Sequence, residues 1–326
     1  MTSSWRQTLR NAIHQRNDYL RCFLSEFAGT FILVLLLDSM VASATFSQMM
    51  PNGDRKHGHD QVHVALGAAL AVMMGVFAAA PSGANLNPAV SVAFMFLGEL
   101  SPLKTMVYML AQYLGAFVAS ATIFVVFRDT LDLYDGGNRT VTGASATAGI
   151  WATYPSGEHL SITTLFLDQI LSTFILMFIL LAIVDPKGWK VPKNQVPLYV
   201  GALIASIVFS LGYTTGAAMN PARDLMPRLF TLMAGWGTET FSIREYRWFF
   251  IPVIGSHLGA IFGAMFYQVF VGAHWEEDTA LLVKHRNLEV DTTEFRTPVT
   301  TRVSERFGGG NSNEKVPLHS YERDGA

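Results

Sequence analysis

Charge is scarce in this chain. Asp, Glu, Lys and Arg together make up 15% of its 326 residues, where a soluble domain of that length carries about 25%. The charges that exist crowd the termini and a few loops, and 50% of the residues are hydrophobic. That balance excludes an ordinary soluble globular protein and points to a chain that crosses a membrane several times. Cysteine is nearly absent. Cys22 stands alone, so an intramolecular disulfide is impossible. No block of basic residues offers a surface for nucleic acid. No phosphate-cradling glycine loop, dinucleotide fingerprint or nucleophile elbow occurs, so the sequence reads as a non-enzyme that needs no cofactor. His57, His59, Asp60 and His63 lie close together in "HGHDQVH" but lack the spacing of a metal site, and no metal is expected. The N-terminal residues have neither the short apolar core nor the small-residue cleavage site of a secretory leader. The first apolar run is therefore expected to stay as a signal anchor.

What fills the chain is apolar runs. About 20 apolar residues cross a hydrocarbon core of ~30 Å, and six stretches are long enough: 22–46, 62–80, 106–127, 162–184, 197–215 and 249–271. Two more, 88–100 and 221–235, are too short to cross and read as half-helices that enter and turn back. The order is span, span, half-helix, span, and then the same again. "SEFAGTFILVLLLD" (25–38) echoes "LDQILSTFILMFILLAIVD" (167–185), which marks an internal repeat. Each repeat has an odd number of spans, so the second copy must enter the membrane upside down. The predicted fold is an all-α membrane protein, six transmembrane helices plus two re-entrant half-helices in an inverted repeat. Repeat one covers about 22–127 and repeat two about 162–272 of a channel domain over 22–272. Residues 1–21 form an N-terminal segment and 273–326 a polar tail expected to be disordered.

Orientation follows from the basic residues. Arg6, Arg10, Arg16 and Arg21 precede the first span, and Lys187, Lys190 and Lys193 lie between spans four and five. Both groups belong in the cytoplasm if the termini are inside. The connection 128–161 is then outside, where Asn138-Arg139-Thr140 forms an N-glycosylation sequon at Asn138.

Each half-helix opens on the same three residues, Asn87-Pro88-Ala89 in "GANLNPAVS" and Asn220-Pro221-Ala222 in "GAAMNPARD". Asn is a good N-cap, and Pro suits the first helical position because its missing N–H would be unpaired anyway. Ala is small enough for two helix starts to approach. Each start carries the positive end of a helix dipole, roughly half a charge. Two such ends meeting at the midplane repel a cation, while the Asn amides can donate to a passing oxygen. The backbone ahead of each copy must be unwound, which is tolerated inside a membrane only along a wet path.

These pieces resemble the major intrinsic protein family of aquaporins and glycerol facilitators over roughly residues 20–272. The matching segments include "SEFAGTF", "GANLNPAVS", "AQYLGAF" (111–117), "GAAMNPARDLMPRLFTLMAGWG" and "WFFIPVIG" (248–255). "NPARD" with its extended continuation is similar to the glycerol-conducting branch of animals. The resemblance implies one pore per subunit, a homotetramer in the plasma membrane, and a lumen for water, glycerol and other small neutral solutes. Urea and protonated small acids such as lactic acid belong to that class, with protons and ions excluded. A proton-coupled transporter of small acids is the alternative. By the family's pattern Arg223 stands at the outer constriction, joined by Ala217, Val208 and a residue of span two. That residue is Ala68 if the first loop is one residue short and Gly67 otherwise. All these partners of Arg223 are small, so a wide opening is expected. Glu26 and Asp168 are read as equivalent acids of the two repeats. They are expected to accept backbone N–H groups of the half-helix loops, and Asp224 to brace a loop in the same way.

Overall fold

The computed structural model describes residues 4–47 and 61–276. His57, His59 and Asp60, and most of the predicted tail, fall outside the described residues. Those described form ten α-helices and no strand: α1 Trp5–Ile13, α2 Asp18–Phe46, α3 Gln61–Ala78, α4 Pro88–Phe96, α5 Pro102–Asp135, α6 Ile162–Val184, α7 Val196–Thr215, α8 Pro221–Thr231, α9 Glu239–Ser242 and α10 Ser256–Phe270. A π-helical stretch, Ile251–Gly255, leads into α10. Of these helices α2, α5, α6, α7 and the run through α10 are long and apolar enough to cross a membrane, and α3 is a shorter apolar helix. At 1.5 Å per residue the 18 residues of α3 still reach about 27 Å.

The two repeats pack alike. In the first, α2 lies against α3 and α5; in the second, α6 lies against α7 and α10. No hydrophobic effect drives helices together in lipid, so their backbones must come close enough for van der Waals contact. Small residues allow it. A Cβ on Gly115 of α5 would stand 2.6 Å from the Phe27 carbonyl oxygen of α2. Gly259 and Gly263 of α10 do the same on α6, where an added Cβ would collide with the carbonyls of Ile170 and Phe174. A Cβ on Gly75 of α3 would meet the Gly29 carbonyl of α2 at 2.9 Å. The repeats join through α3 and α7, where a Cβ on Gly201 would face the Ala69 carbonyl at 3.0 Å.

Helix ends follow local chemistry. Ser101 caps α5 by accepting from the Lys104 N–H, with Pro102 at the first helical position. At its other end α5 runs past the apolar stretch that predicts it. Arg139 folds back onto Asp132 and onto Asp135, the last helical residue, and lies over the Phe124 and Trp236 rings. That tie keeps a polar turn helical. Asn138 beside it is exposed. His257 is half-buried in α10, and its Nδ1 contacts the Val253 carbonyl of the π-helical stretch at 2.8 Å.

Candidate functional site

Asn87 and Asn220 are the N-caps of α4 and α8. The Asn87 side-chain oxygen accepts the Ala89 N–H at 2.9 Å, and that of Asn220 accepts the N–H groups of Ala222 and Arg223 at 3.0 and 3.3 Å. Pro88 and Pro221 occupy the first helical positions, and Ala89 and Ala222 are wholly buried. The two caps also cross-link the repeats. The Asn87 amide donates to the Met219 carbonyl and the Asn220 amide to the Leu86 carbonyl, each at 2.8 Å. An Asn amide has two N–H donors. One is spent on the opposite repeat, which leaves one for the space between the helix starts.

That arrangement requires the preceding loops to present carbonyls in an unusual way. Gly83, Ala84 and Leu86 have left-handed φ in the first loop, and Gly216, Ala217 and Met219 in the second. For residues other than glycine this conformation costs roughly 1–2 kcal/mol each, so something must hold it. In the first loop Glu26 does. Its carboxylate accepts the Asn85 and Leu86 N–H groups at 3.0 and 2.8 Å, the Ser82 hydroxyl at 2.6 Å and the Gln112 amide at 2.8 Å.

In the second loop the matching contact is made by Gln169, not Asp168. The Gln169 carbonyl oxygen accepts the Met219 N–H at 3.3 Å, and its amide donates to the Thr215 hydroxyl oxygen at 2.5 Å. Asp168 is half-buried and meets the loop at second hand: it accepts from the Thr215 hydroxyl, whose oxygen accepts the Ala217 N–H. The equivalence of Glu26 with Asp168 is therefore off by one residue. The run Thr-Phe-Ile-Leu at 30–33 and again at 173–176 sets the right register, and counting back from it pairs Glu26 with Gln169.

Asp224 is fully buried and braces a loop. It accepts the Thr153 N–H at 2.8 Å and the Thr153 hydroxyl at 2.5 Å. Its ion-pair partner is Arg228, one turn along α8, at 2.9 Å, with both side chains out of contact with solvent. Arg228 also donates to the carbonyls of Thr240 and Thr153, at 2.8 and 2.6 Å, and covers the Tyr154 ring. Arg223 forms no ion pair with Asp224 among the described residues. The Arg223 guanidinium donates to the Trp151 carbonyl at 3.4 Å and faces a cavity.

The cavity has a volume of about 150 Å³ and runs along both half-helix loops. Its helical walls are apolar stripes of four-residue spacing: Leu33, Leu37 and Val41 on α2; Val64, Ala68, Val72 and Val76 on α3; Leu176, Leu180 and Val184 on α6; Val196, Val200, Ile204 and Val208 on α7. Loop residues 83–87 and 216–220 supply polar backbone together with Asn85, Asn87 and Asn220. Ala68, Val208, Ala217 and Arg223 all line it. Gly67 does not: its open side is filled by the Met40 side chain. One further acid lies near by. Asp38, next to Leu37 on α2, is fully buried, and neither of its oxygens has a hydrogen-bond partner among the described residues. Arg223 and Asp224 are the charges within electrostatic reach of it.

Gln169, Arg228 and, apart from Ala68 and Val208, the stripes of α3 and α7 are absent from the residues singled out by sequence. The stripes were legible, since 64, 68, 72 and 76, like 196, 200, 204 and 208, step by about one helical turn and never carry a charge. In a helix that is apolar all round, lumen-facing and lipid-facing positions look alike.

Comparison with known proteins gives a consistent result. The family model described as "Major intrinsic protein" matches residues 13–267. The chain is 44% identical to "Aquaporin-3" of Milnesium tardigradum over 322 residues, 98% of each protein. It is 42% identical to "Aquaporin-9" of Homo sapiens over 255 residues, covering 78% of this chain and 83% of that one. Among solved structures it resembles "X-ray structure of the aquaglyceroporin from Plasmodium falciparum", with a TM-score of 0.67 and 29% identity, covering 78% of this chain and 97% of that one.

Proposed function

The chain belongs to the major intrinsic protein family, and from that membership we propose that it is a passive membrane channel for water, glycerol and other small neutral solutes. The observation that carries this reading is the two-sided lumen. Four helices give it apolar stripes, and two unwound loops give it backbone and amide groups. A polyol has the matching surface, hydroxyls along one edge and C–H groups along the other. Urea and protonated small acids such as lactic acid fit the same description.

Arg223 supplies guanidinium donors for a hydroxyl and a fixed charge against cations. The starts of α4 and α8 add the positive ends of two helix dipoles at the centre. Together these favour neutral oxygen-bearing solutes and oppose protons and other cations. The partners of Arg223 in the proposed filter, Ala68, Val208 and Ala217, are all small, which supports an opening wider than one built for water alone. A homotetramer in the plasma membrane with cytoplasmic termini is part of the same proposal. It rests on the family and on the placement of Arg and Lys at the span ends.

Stopped-flow measurements on proteoliposomes test it. Water and glycerol should equilibrate faster than in empty vesicles, with no need for a pH gradient. Uptake that requires a proton gradient would mean a coupled transporter, and no excess permeability would mean a closed protein. Narrowing the filter with Ala217→Phe and Val208→His should lower the glycerol-to-water permeability ratio roughly tenfold or more, the size of effect that pocket shape gives. An unchanged ratio would remove both residues from the constriction.

A further inference from the structure

We propose that α1 is a surface helix that lies on the membrane with its apolar stripe in the lipid and its arginines on anionic headgroups. Trp5, Leu9 and Ile13 follow one another at four-residue steps along one side of α1, and their exposures are 72%, 48% and 61%. No residue of the helix is buried against the rest of the protein. In water such a stripe has no reason to persist. At a bilayer surface it is the pattern expected of a helix lying in the interface.

The charge argues for the same partner. The first seventeen residues contain no Asp or Glu. Arg6 and Arg10 border the apolar stripe on the helix surface, Arg6 over the Trp5 ring at 5.7 Å. Neither arginine, nor Arg16, forms an ion pair among the described residues. Long basic side chains beside an apolar face place their charge at headgroup level while their stems stay in the apolar layer. An anionic leaflet supplies the missing counter-charge.

The connection to the body keeps the helix there. Four residues, His14 to Asn17, separate α1 from α2, and Asn17 caps α2 through the N–H groups of Tyr19 and Leu20. Fully extended they reach no more than roughly 14 Å. The first turns of α2 expose Tyr19, Leu20 and Leu24, so the stripe of α1 lies close in sequence to a second exposed apolar surface at the start of the first span.

The test uses the full chain in vesicles of phosphatidylcholine alone or with phosphatidylserine. Lipids brominated along the acyl chain quench nearby tryptophan. The quenching lost on Trp5→Phe isolates Trp5 from the other five tryptophans. Trp5 should be quenched, more so with phosphatidylserine. Arg6→Gln and Arg10→Gln should each reduce the ratio of bound to free helix about fivefold in the anionic vesicles and little in the neutral ones. Leu9→Asp should release the helix in both. Quenching that is the same in wild type and Trp5→Phe would overturn the proposal. So would a Trp5 shielded from both lipid and aqueous quenchers, which would mean that protein covers the stripe. Equal quenching in both lipid mixtures would remove the role of the arginines and overturn the anionic-lipid assignment.

Discussion

Arg228 shows how much of a membrane site rests on one residue away from the lumen. It is fully buried, and its guanidinium serves Asp224, Thr153 and Thr240 together. A guanidinium can do this because its donors form a fixed planar fork, whereas an ammonium is a point charge. Arg228→Leu would leave the Asp224 carboxylate buried without its counter-charge, which costs about 3–5 kcal/mol. The thermal midpoint of the detergent-solubilised protein should fall sharply, and Arg228→Lys should recover only part of the loss. Equal stability of the Arg228→Leu variant and wild type would show that Thr153 alone suffices for Asp224. In sequence Arg228 reads as one more charge in a short helix; what separates it from Arg223, also buried and five residues earlier, is its ion pair with Asp224, since Arg223 lines the cavity instead.

Helices here are held by backbone contact, not by side-chain bulk. Gly259 and Gly263 put α10 directly on the backbone of α6, and Gly255 just before α10 sits over the Gln169 and Phe166 side chains. Gly259→Leu would force the pair apart, and overpacking of this kind costs typically 1–3 kcal/mol. Gly149→Ala is the control, since a Cβ there meets nothing within 4 Å. A lowered melting temperature for the first and an unchanged one for the second is the expected pattern. Equal shifts would deny that helix approach is the cause. Six apolar runs and two half-helices were readable in the chain because lipid writes long uninterrupted hydrophobic stretches. Their ends were less readable. Hydropathy stops α5 near residue 127, but the helix continues to Asp135 because Arg139 neutralises the acids of its last turns. The loops were readable in their Asn-Pro-Ala triplets and unreadable in their braces. Gln169 carries no charge to draw notice, and Asp168 beside it does.

The two similar halves pack on each other through α3 with α7, α5 with α8 and α4 with α10, and their half-helix loops are cross-linked at the centre. Asn87 reaches the second loop and Asn220 the first. Each amide therefore holds the left-handed backbone on which the other repeat depends. A double-mutant cycle measures this. Asn87→Ala and Asn220→Ala should each destabilise by about 1–3 kcal/mol, the cost of a buried group left unpaired. The double variant should fall short of the sum by about 0.5–3 kcal/mol, as for residues in one network. Strict additivity would mean that the two links act separately. This crossing was only half legible. Two helix starts that meet follow from the inverted repeat, but the amides were expected only to donate into the lumen, and nothing in the sequence pairs them with carbonyls of the opposite repeat.

The crossing also sets an order on how the protein is made. Met219 lies 132 residues after Asn87, and Asn220 lies 134 after Leu86. At synthesis rates of about 5–20 residues per second, the ribosome needs roughly 7 to 26 seconds to deliver the second loop after the first. For that interval the Asn87 amide and the Leu86 carbonyl have no native partner, and their half-helix cannot rest unprotected in hydrocarbon. The newborn first repeat must wait at the insertion machinery, in the interface or with water, until the second arrives.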